Sequence, residues 1–152
     1  MNDRVVIDTN AFIVLILGMI DTRLFKDHKR TSAYEDTDFE NLISLVPDLS
    51  KVLVLPNIMT EVDNLLNDFR GHYKYPYIQA FTTVIKATTE IYLKTESILA
   101  GYYFAELGLT DSLILEVAKD CKFLITADSK LSDYAKSLSI EVFDLVEYRN
   151  LR

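Results

Sequence analysis

The sequence predicts an α/β domain in three layers: a central, mostly parallel sheet of about four or five strands, flanked by helices. Three observations lead there. Short runs such as Val5 to Ile7, Val52 to Leu55, Phe123 to Ile125 and Ile140 to Phe143 are apolar almost throughout, without the alternation of a strand that has one face in water. Between them lie stretches whose apolar residues recur at helical spacing. No repeat or low-complexity linker interrupts this alternation, and 152 residues, 49% of them apolar, suit one hydrophobic core, so residues 1–152 read as a single domain.

Val5 to Ile7 stops at Asp8, after which Thr9 or Asn10 can cap a helix through Phe12, Ile13, Ile16 and Leu17. The run Ala11 to Ile20 is too short to span a bilayer, which takes about 20 apolar residues. With Asp8 in its leading stretch and no small-residue cleavage site after it, the run does not resemble a secretory signal either. It reads as a buried helix, and the expectation is a cytoplasmic protein without membrane association. The pattern is lost from Gly18 to Asp36, a loop or short helix that holds Arg23, Lys26, His28, Lys29 and Arg30. Thr37 with Glu40 forms a capping box for a helix through Leu42, Ile43, Leu45, Val46 and Leu49.

Pro56 suits a first helical position, and the helix behind it has Met59, Val62, Leu65, Leu66 and Phe69 on one face, with Asn57, Glu61, Asn64 and Asp68 on the other. Arg70 to Pro76 reads as a loop. Long helical patterns follow from Tyr77 towards Leu107, with a break near Thr88 to Glu90, and Gly108 is a helix stop. Thr110 can cap the next helix, which places Asp111 in its first turn. The third strand ends at Thr126, Ala127 and Asp128. A short helix with Leu131, Tyr134, Ala135 and Leu138 leads to the last strand, then to a turn or helix with Leu145 and Tyr148.

A net charge of -7 argues against a protein coated in basic patches for gripping duplex DNA, yet it suits carboxylates gathered to hold divalent cations. The one cysteine, Cys121, lies in an apolar-periodic run and reads as a buried, inert thiol, which excludes an internal disulfide. Ligand sites in open α/β sheets lie beyond the carboxyl ends of the strands. Asp8 and Asp128 fall at such ends, while Glu61 and Asp111 fall in the early turns of helices. Taken singly, a helix-start aspartate is a cap or dipole partner, and a glutamate on a polar helix face is a solvated residue.

Four segments taken together say more. Ile-Asp-Thr-Asn at 7–10, Thr-Glu-Val at 60–62, Leu-Thr-Asp-Ser-Leu-Ile at 109–114 and Leu-Ile-Thr-Ala-Asp-Ser-Lys-Leu at 124–131 resemble, in order, the signature segments of PIN (PilT N-terminal) domains across essentially the whole chain. The resemblance implies a PIN-like fold in which Asp8, Glu61, Asp111 and Asp128 are acidic metal ligands, with Thr9, Asn10, Thr126 and Ser129 as near-site residues. It implies a metal-dependent endoribonuclease. Some stand-alone relatives are toxins of toxin-antitoxin pairs, which implies an antitoxin protein as a partner, although the segments 18–36 and 76–107 depart from the compact toxins.

All-oxygen ligands suit Mg2+ or Mn2+ rather than zinc, and such an ion lowers the pKa of a bound water and stabilises the leaving oxygen of a phosphodiester. Neither His28 nor His72 lies in a signature segment, and both read as surface residues. Arg23, Lys26 and Arg30 form one basic cluster; Arg70, Tyr73 and Lys74 interleave cations with aromatic rings, the composition of single-strand binding. The alternative is a degenerate PIN-like module that binds nucleic acid or scaffolds without catalysis. A receiver-type phosphoacceptor wants two acids at the end of the first strand and a lysine at a later strand end, whereas Asp8 stands alone and Lys130 lies beyond its turn. Tyrosine-rich apolar helices such as Tyr92 to Leu107 predict a homodimer.

Overall fold

A computed structural model describes residues 2–66 and 70–151. Five strands, β1 (Val5–Ile7), β2 (Val52–Val54), β3 (Thr89–Glu90), β4 (Phe123–Thr126) and β5 (Val142–Asp144), form one sheet in the order β3-β2-β1-β4-β5, and every pairing is parallel. The α/β class and the parallel sheet expected from the apolar runs are what the chain forms. Val5 lies opposite Val52 on one side and Phe123 on the other, while Ile125 pairs with Ile7 and Phe143. β1 and β4 are buried along their whole length, because helices cover both faces of the central sheet.

Between β1 and β2 the chain makes α1 (Thr9–Ile20), a 3-10 helix (Thr22–Asp27) and α2 (Asp36–Leu45); between β2 and β3 it makes α3 (Pro56–Leu65) and α4 (Arg70–Ala87). A 3-10 helix (Thr95–Ala100), α5 (Phe104–Leu107) and α6 (Leu109–Ala118) return the chain to β4. Then α7 (Ser129–Ser137) leads to β5, and α8 (Leu145–Asn150) follows. α1 packs on α2, α3 and α4, whereas α6 packs on α5, α7 and β1. Every residue from Ala11 to Leu17 is buried, as a helix apolar on all sides must be. Among the described residues no helix is long and apolar enough to cross a membrane.

Several local expectations are corrected. α1 is capped by Asp8 rather than by Thr9 or Asn10. α2 starts at Asp36, and the reciprocal contact at its start is Asp38 Oδ2 accepting from Glu35 N at 2.8 Å, so Thr37 and Glu40 do not form the box. The segment 18–36, by contrast, contains a short helix as one of its two readings allowed, through the end of α1 and the 3-10 turn at 22–27. Arg70 to Pro76 is not a loop. It is the first part of α4, bent at Tyr73 (φ -102°, ψ 15°), because the Pro76 ring cannot share a straight helix with the carbonyl four residues earlier.

The long helical pattern stops at Ala87. Thr88 Oγ1 turns back to Val84 O at 2.8 Å, and Thr89–Glu90 joins β2 as a strand that the periodicity hid. Tyr92 to Leu107 is therefore not one helix but coil, a 3-10 turn and the four-residue α5. α6 opens at Leu109 behind Gly108, so Thr110 lies inside the first turn. β5 begins at Val142 rather than Ile140: Ser139 takes a positive φ of 62°, and Ile140 N bonds to Ala135 O at 2.9 Å to close α7.

Candidate active site

In the order β3-β2-β1-β4-β5 the chain leaves β1 in one direction and returns to β4 on its other side, so the topological switch lies between the carboxyl ends of β1 and β4. Asp8 and Asp128 follow those two ends. Asp8 N bonds to Ile125 O at 3.1 Å, continuing the sheet one step past β1. The Asp8 side chain is 3% exposed; its Oδ1 accepts from Ala11 N at 2.8 Å and caps α1, and its Oδ2 accepts from the Thr126 hydroxyl. Thr126 Oγ1 in turn accepts from Asp128 N at 2.9 Å, so one hydroxyl ties the two strand ends together. Asp128 caps α7 through Oδ1, which accepts from Lys130 N at 2.9 Å and Leu131 N at 3.2 Å.

Asp111 sits in the first turn of α6, and among the described residues no group hydrogen-bonds its carboxylate. Burial pushes its carboxyl up to about 7, and the charges of Asp8, Asp128 and Glu61 push the same way. All three other sequence-predicted acids are thus within electrostatic reach of Asp111, although Glu61 is on α3, Asp8 follows β1 and Asp128 follows β4. Asp8 itself is raised to about 6, first by burial and further by Asp128, against the lowering effect of its bonds from Thr126 and Ala11.

As the side chains stand, no three His, Cys, Asp or Glu residues among those described are grouped to hold one ion. The donor chemistry does fit a hard divalent cation, since four carboxylates offer oxygens alone. Thr9 Oγ1, beside Asp8 in sequence, is buried without a hydrogen-bond partner among the described residues. Asn10 is half-buried and Ser129 exposed at the start of α7.

Sequence reasoning missed two residues of this neighbourhood. Asp144 ends β5, is 6% exposed, and caps α8 by accepting from Val146 N and Glu147 N at 3.0 and 3.2 Å. It repeats the strand-end pattern of Asp8 and Asp128, a signal that was available. Tyr34 carries no such signal. Its hydroxyl is held above the ordinary tyrosine range by burial and then by Asp8, Asp38 and Asp144, which places it between α2, α8 and the strand ends. Arg149 fixes that corner, donating from Nη1 to Asp38 Oδ2 at 3.1 Å and to Ala33 O at 3.0 Å.

Among the predicted nucleic-acid contacts, Arg23 is exposed but clamped to Asp21, with Nη2 to Oδ2 at 2.7 Å, while Lys26 and Arg30 are exposed. Arg23 and Lys26 line a cavity of 630 Å³ whose wall includes Tyr34, so this basic stretch borders the tyrosine that feels Asp8. Tyr73 and Lys74 lie outward on α4, and Arg23 feels Tyr73, so the two predicted segments adjoin. The side chain of Arg70 lies outside the described set.

Tyr77 is 2% exposed, donates to Asp63 Oδ1 at 2.7 Å and stacks on Phe81; it belongs to the packing. His28 is also a correction: it is buried, its Nδ1 accepts from Arg30 N at 3.1 Å, and Nε2 therefore carries the proton and donates to Leu65 O at 2.7 Å. His72 is exposed as expected. Cys121 is half-buried, and burial pushes its thiol up to about 11, in keeping with an inert group.

No family model and no curated protein matches the chain. Among solved structures, a domain of a functionally unknown protein from Methanocaldococcus jannaschii DSM 2661 is similar over 93% of this chain and 90% of that one, with 19% sequence identity and a TM-score of 0.47.

Proposed function

We propose that this chain is a divalent-metal-dependent endoribonuclease of the PIN type that hydrolyses single-stranded RNA. The observation that carries the reading is the convergence of Asp8, Glu61, Asp111 and Asp128, up to 120 positions apart in sequence, so that three of them raise the fourth. Carboxylates that raise one another across a partly buried site repel, an arrangement that costs stability and is relieved by a cation. Magnesium or manganese, once bound, supplies an activated water and neutralises charge at the scissile phosphate.

The chain's own groups have distinct tasks in that chemistry. Asp8 and Asp128 each commit one oxygen to a helix cap, which fixes their direction, and Thr126 holds their spacing. Asp111, without a hydrogen bond among the described residues, holds a proton up to near neutral pH in the ion-free protein and gives it up when cationic charge arrives. Glu61 approaches from α3 and completes the acidic rim. Lys26, Arg30 and Lys74 are outward cations for phosphates, and Tyr73 is a partly exposed ring beside them.

The rival reading, a nucleic-acid-binding or scaffold module without catalysis, is favoured by the capping roles of Asp8 and Asp128, which would retain both acids in an inactive protein. The two separate in one assay. The protein is incubated with mixed single-stranded RNA and Mn2+, with and without chelator, beside Asp111→Asn. Metal-dependent cleavage lost in the variant supports the nuclease; RNA retained on the protein with no cleavage under any condition leaves only the binding module.

A further inference from the structure

We propose that a small cavity between the carboxyl end of β2 and the start of α6 is a nucleobase subsite, in which one unpaired base of the RNA strand stacks on Tyr92 and meets the amide of Asn57. The inference rests on the ribonuclease reading for its substrate class. The cavity measures 200 Å³, room for one heterocycle but not for two, and its walls are largely apolar, with Leu55, Pro56, Leu93, Leu109 and Leu113 among them. A bare aliphatic pocket would suit any greasy group. Asn57 and Tyr92, which also line it, narrow the choice.

Asn57 Nδ2 is buried and has no hydrogen-bond acceptor among the described residues. An amide left in this state is unfavourable, and a turn about its last bond towards the cavity that it lines lets it offer one N–H and its carbonyl to a ligand there. The edge of a base offers that complementary donor and acceptor pattern. Tyr92 is 76% exposed, yet its hydroxyl donates to Glu90 Oε2 at 2.7 Å. One end of the ring is tethered while its face stays open, which is how a stacking platform is presented at low entropic cost.

Position links the cavity to the acids. Asn57 precedes Glu61 by one helical turn on the same face of α3, and Leu109 and Leu113 belong to the helix that carries Asp111. A base seated there sets which phosphodiester lies over the acidic rim. The subsite therefore confers base preference on the cut.

The test reads binding alone, in chelator, so that cleavage plays no part. Fluorescence anisotropy is measured for short labelled homopolymers of A, U, C and G with the wild-type chain, Tyr92→Ala and Asn57→Ala. The expected result is a preference of about tenfold for one base, about tenfold weaker binding of every homopolymer by Tyr92→Ala, and loss of the preference in Asn57→Ala. Because the Tyr92 ring is outside the core, a melting curve like that of the wild type accompanies the first variant. Equal binding of all four homopolymers by the wild type, or binding unchanged by Tyr92→Ala, overturns the subsite even if the chain cleaves RNA. Graded binding without metal-dependent cleavage keeps the subsite and removes the nuclease.

Discussion

Asp111 shows most clearly how one side chain can be placed against its own preference. Among the described residues it has no hydrogen bond to favour its charged form, and burial together with the charges of three other acids raises its carboxyl to about 7; Asp8 is raised to about 6, first by burial. Both values lie above the ordinary value of 3.8, so the folded state holds these protons more tightly than the unfolded chain does. Their contribution to stability is fully present below about pH 4 and is lost as pH rises through 6 to 7. Without metal, Asp111→Asn is expected to be more stable than the wild type at pH 7.5 by on the order of 2 kcal/mol, discounted for the partial exposure of the site, and nearly equal to it at pH 4.5. Thermal melts in chelator at the two pH values check this. A variant less stable than the wild type at pH 7.5 would make Asp111 a structural residue.

The elements that matter most are strand ends passing directly into helices. Asp8, Asp128 and Asp144 each end or follow a strand and each caps the helix behind it, so a carboxylate favoured by local capping is delivered to the carboxyl-end rim of the sheet, where open α/β folds hold their ligands. α6 begins differently. Gly108 closes α5 and opens α6 with φ +82°, a conformation that an L side chain reaches only with strain, and a Cβ there would meet nothing within 4 Å. Gly108→Ala is therefore expected to cost about 1 kcal/mol through backbone strain alone. Chemical denaturation should show that loss with an unchanged m-value, and a neutral result would mean that the turn into α6 relaxes freely. The bend of α4 at Tyr73 has its own cause in Pro76, and it leaves Tyr73, Lys74 and Tyr75 facing outward while Tyr77 turns inward.

At the scale of the whole molecule, the proposed action on RNA by a chain with net charge -7 requires a few well-placed cations to attract the polyanion. Arg23 is spent on Asp21, so Lys26 and Lys74, both outward and on adjoining elements, are the cations expected to matter. Changing both to alanine should flatten the dependence of log affinity for single-stranded RNA on log salt by about 1.4, at about 0.7 per lost phosphate contact, with little change in thermal stability. Affinity measured at several salt concentrations tests it, and an unaltered slope moves the RNA path elsewhere.

Much of this architecture was legible in the order of residues. Apolar runs such as Val5 to Ile7 and Phe123 to Ile125 announce strands buried on both faces, and an acid set directly after each run locates Asp8 and Asp128 at the rim, because strand and helix starts are encoded by neighbours in the chain. Glu61 and Asp111 are singled out in the sequence only by the resemblance, since nothing local distinguishes them from solvated or capping acids. Other features were decided only by tertiary contact. The strand Thr89–Glu90 exists because β2 offers it an edge, and His28 is buried because Leu65, 37 residues away, supplies an acceptor. Tyr34 joins the acidic neighbourhood because Arg149, near the other end of the chain, holds Ala33 and Asp38 beside it. Residues close in sequence share a helix or a turn whose geometry is known in advance, whereas distant partners meet only once the sheet order and the packing of helices have brought them together.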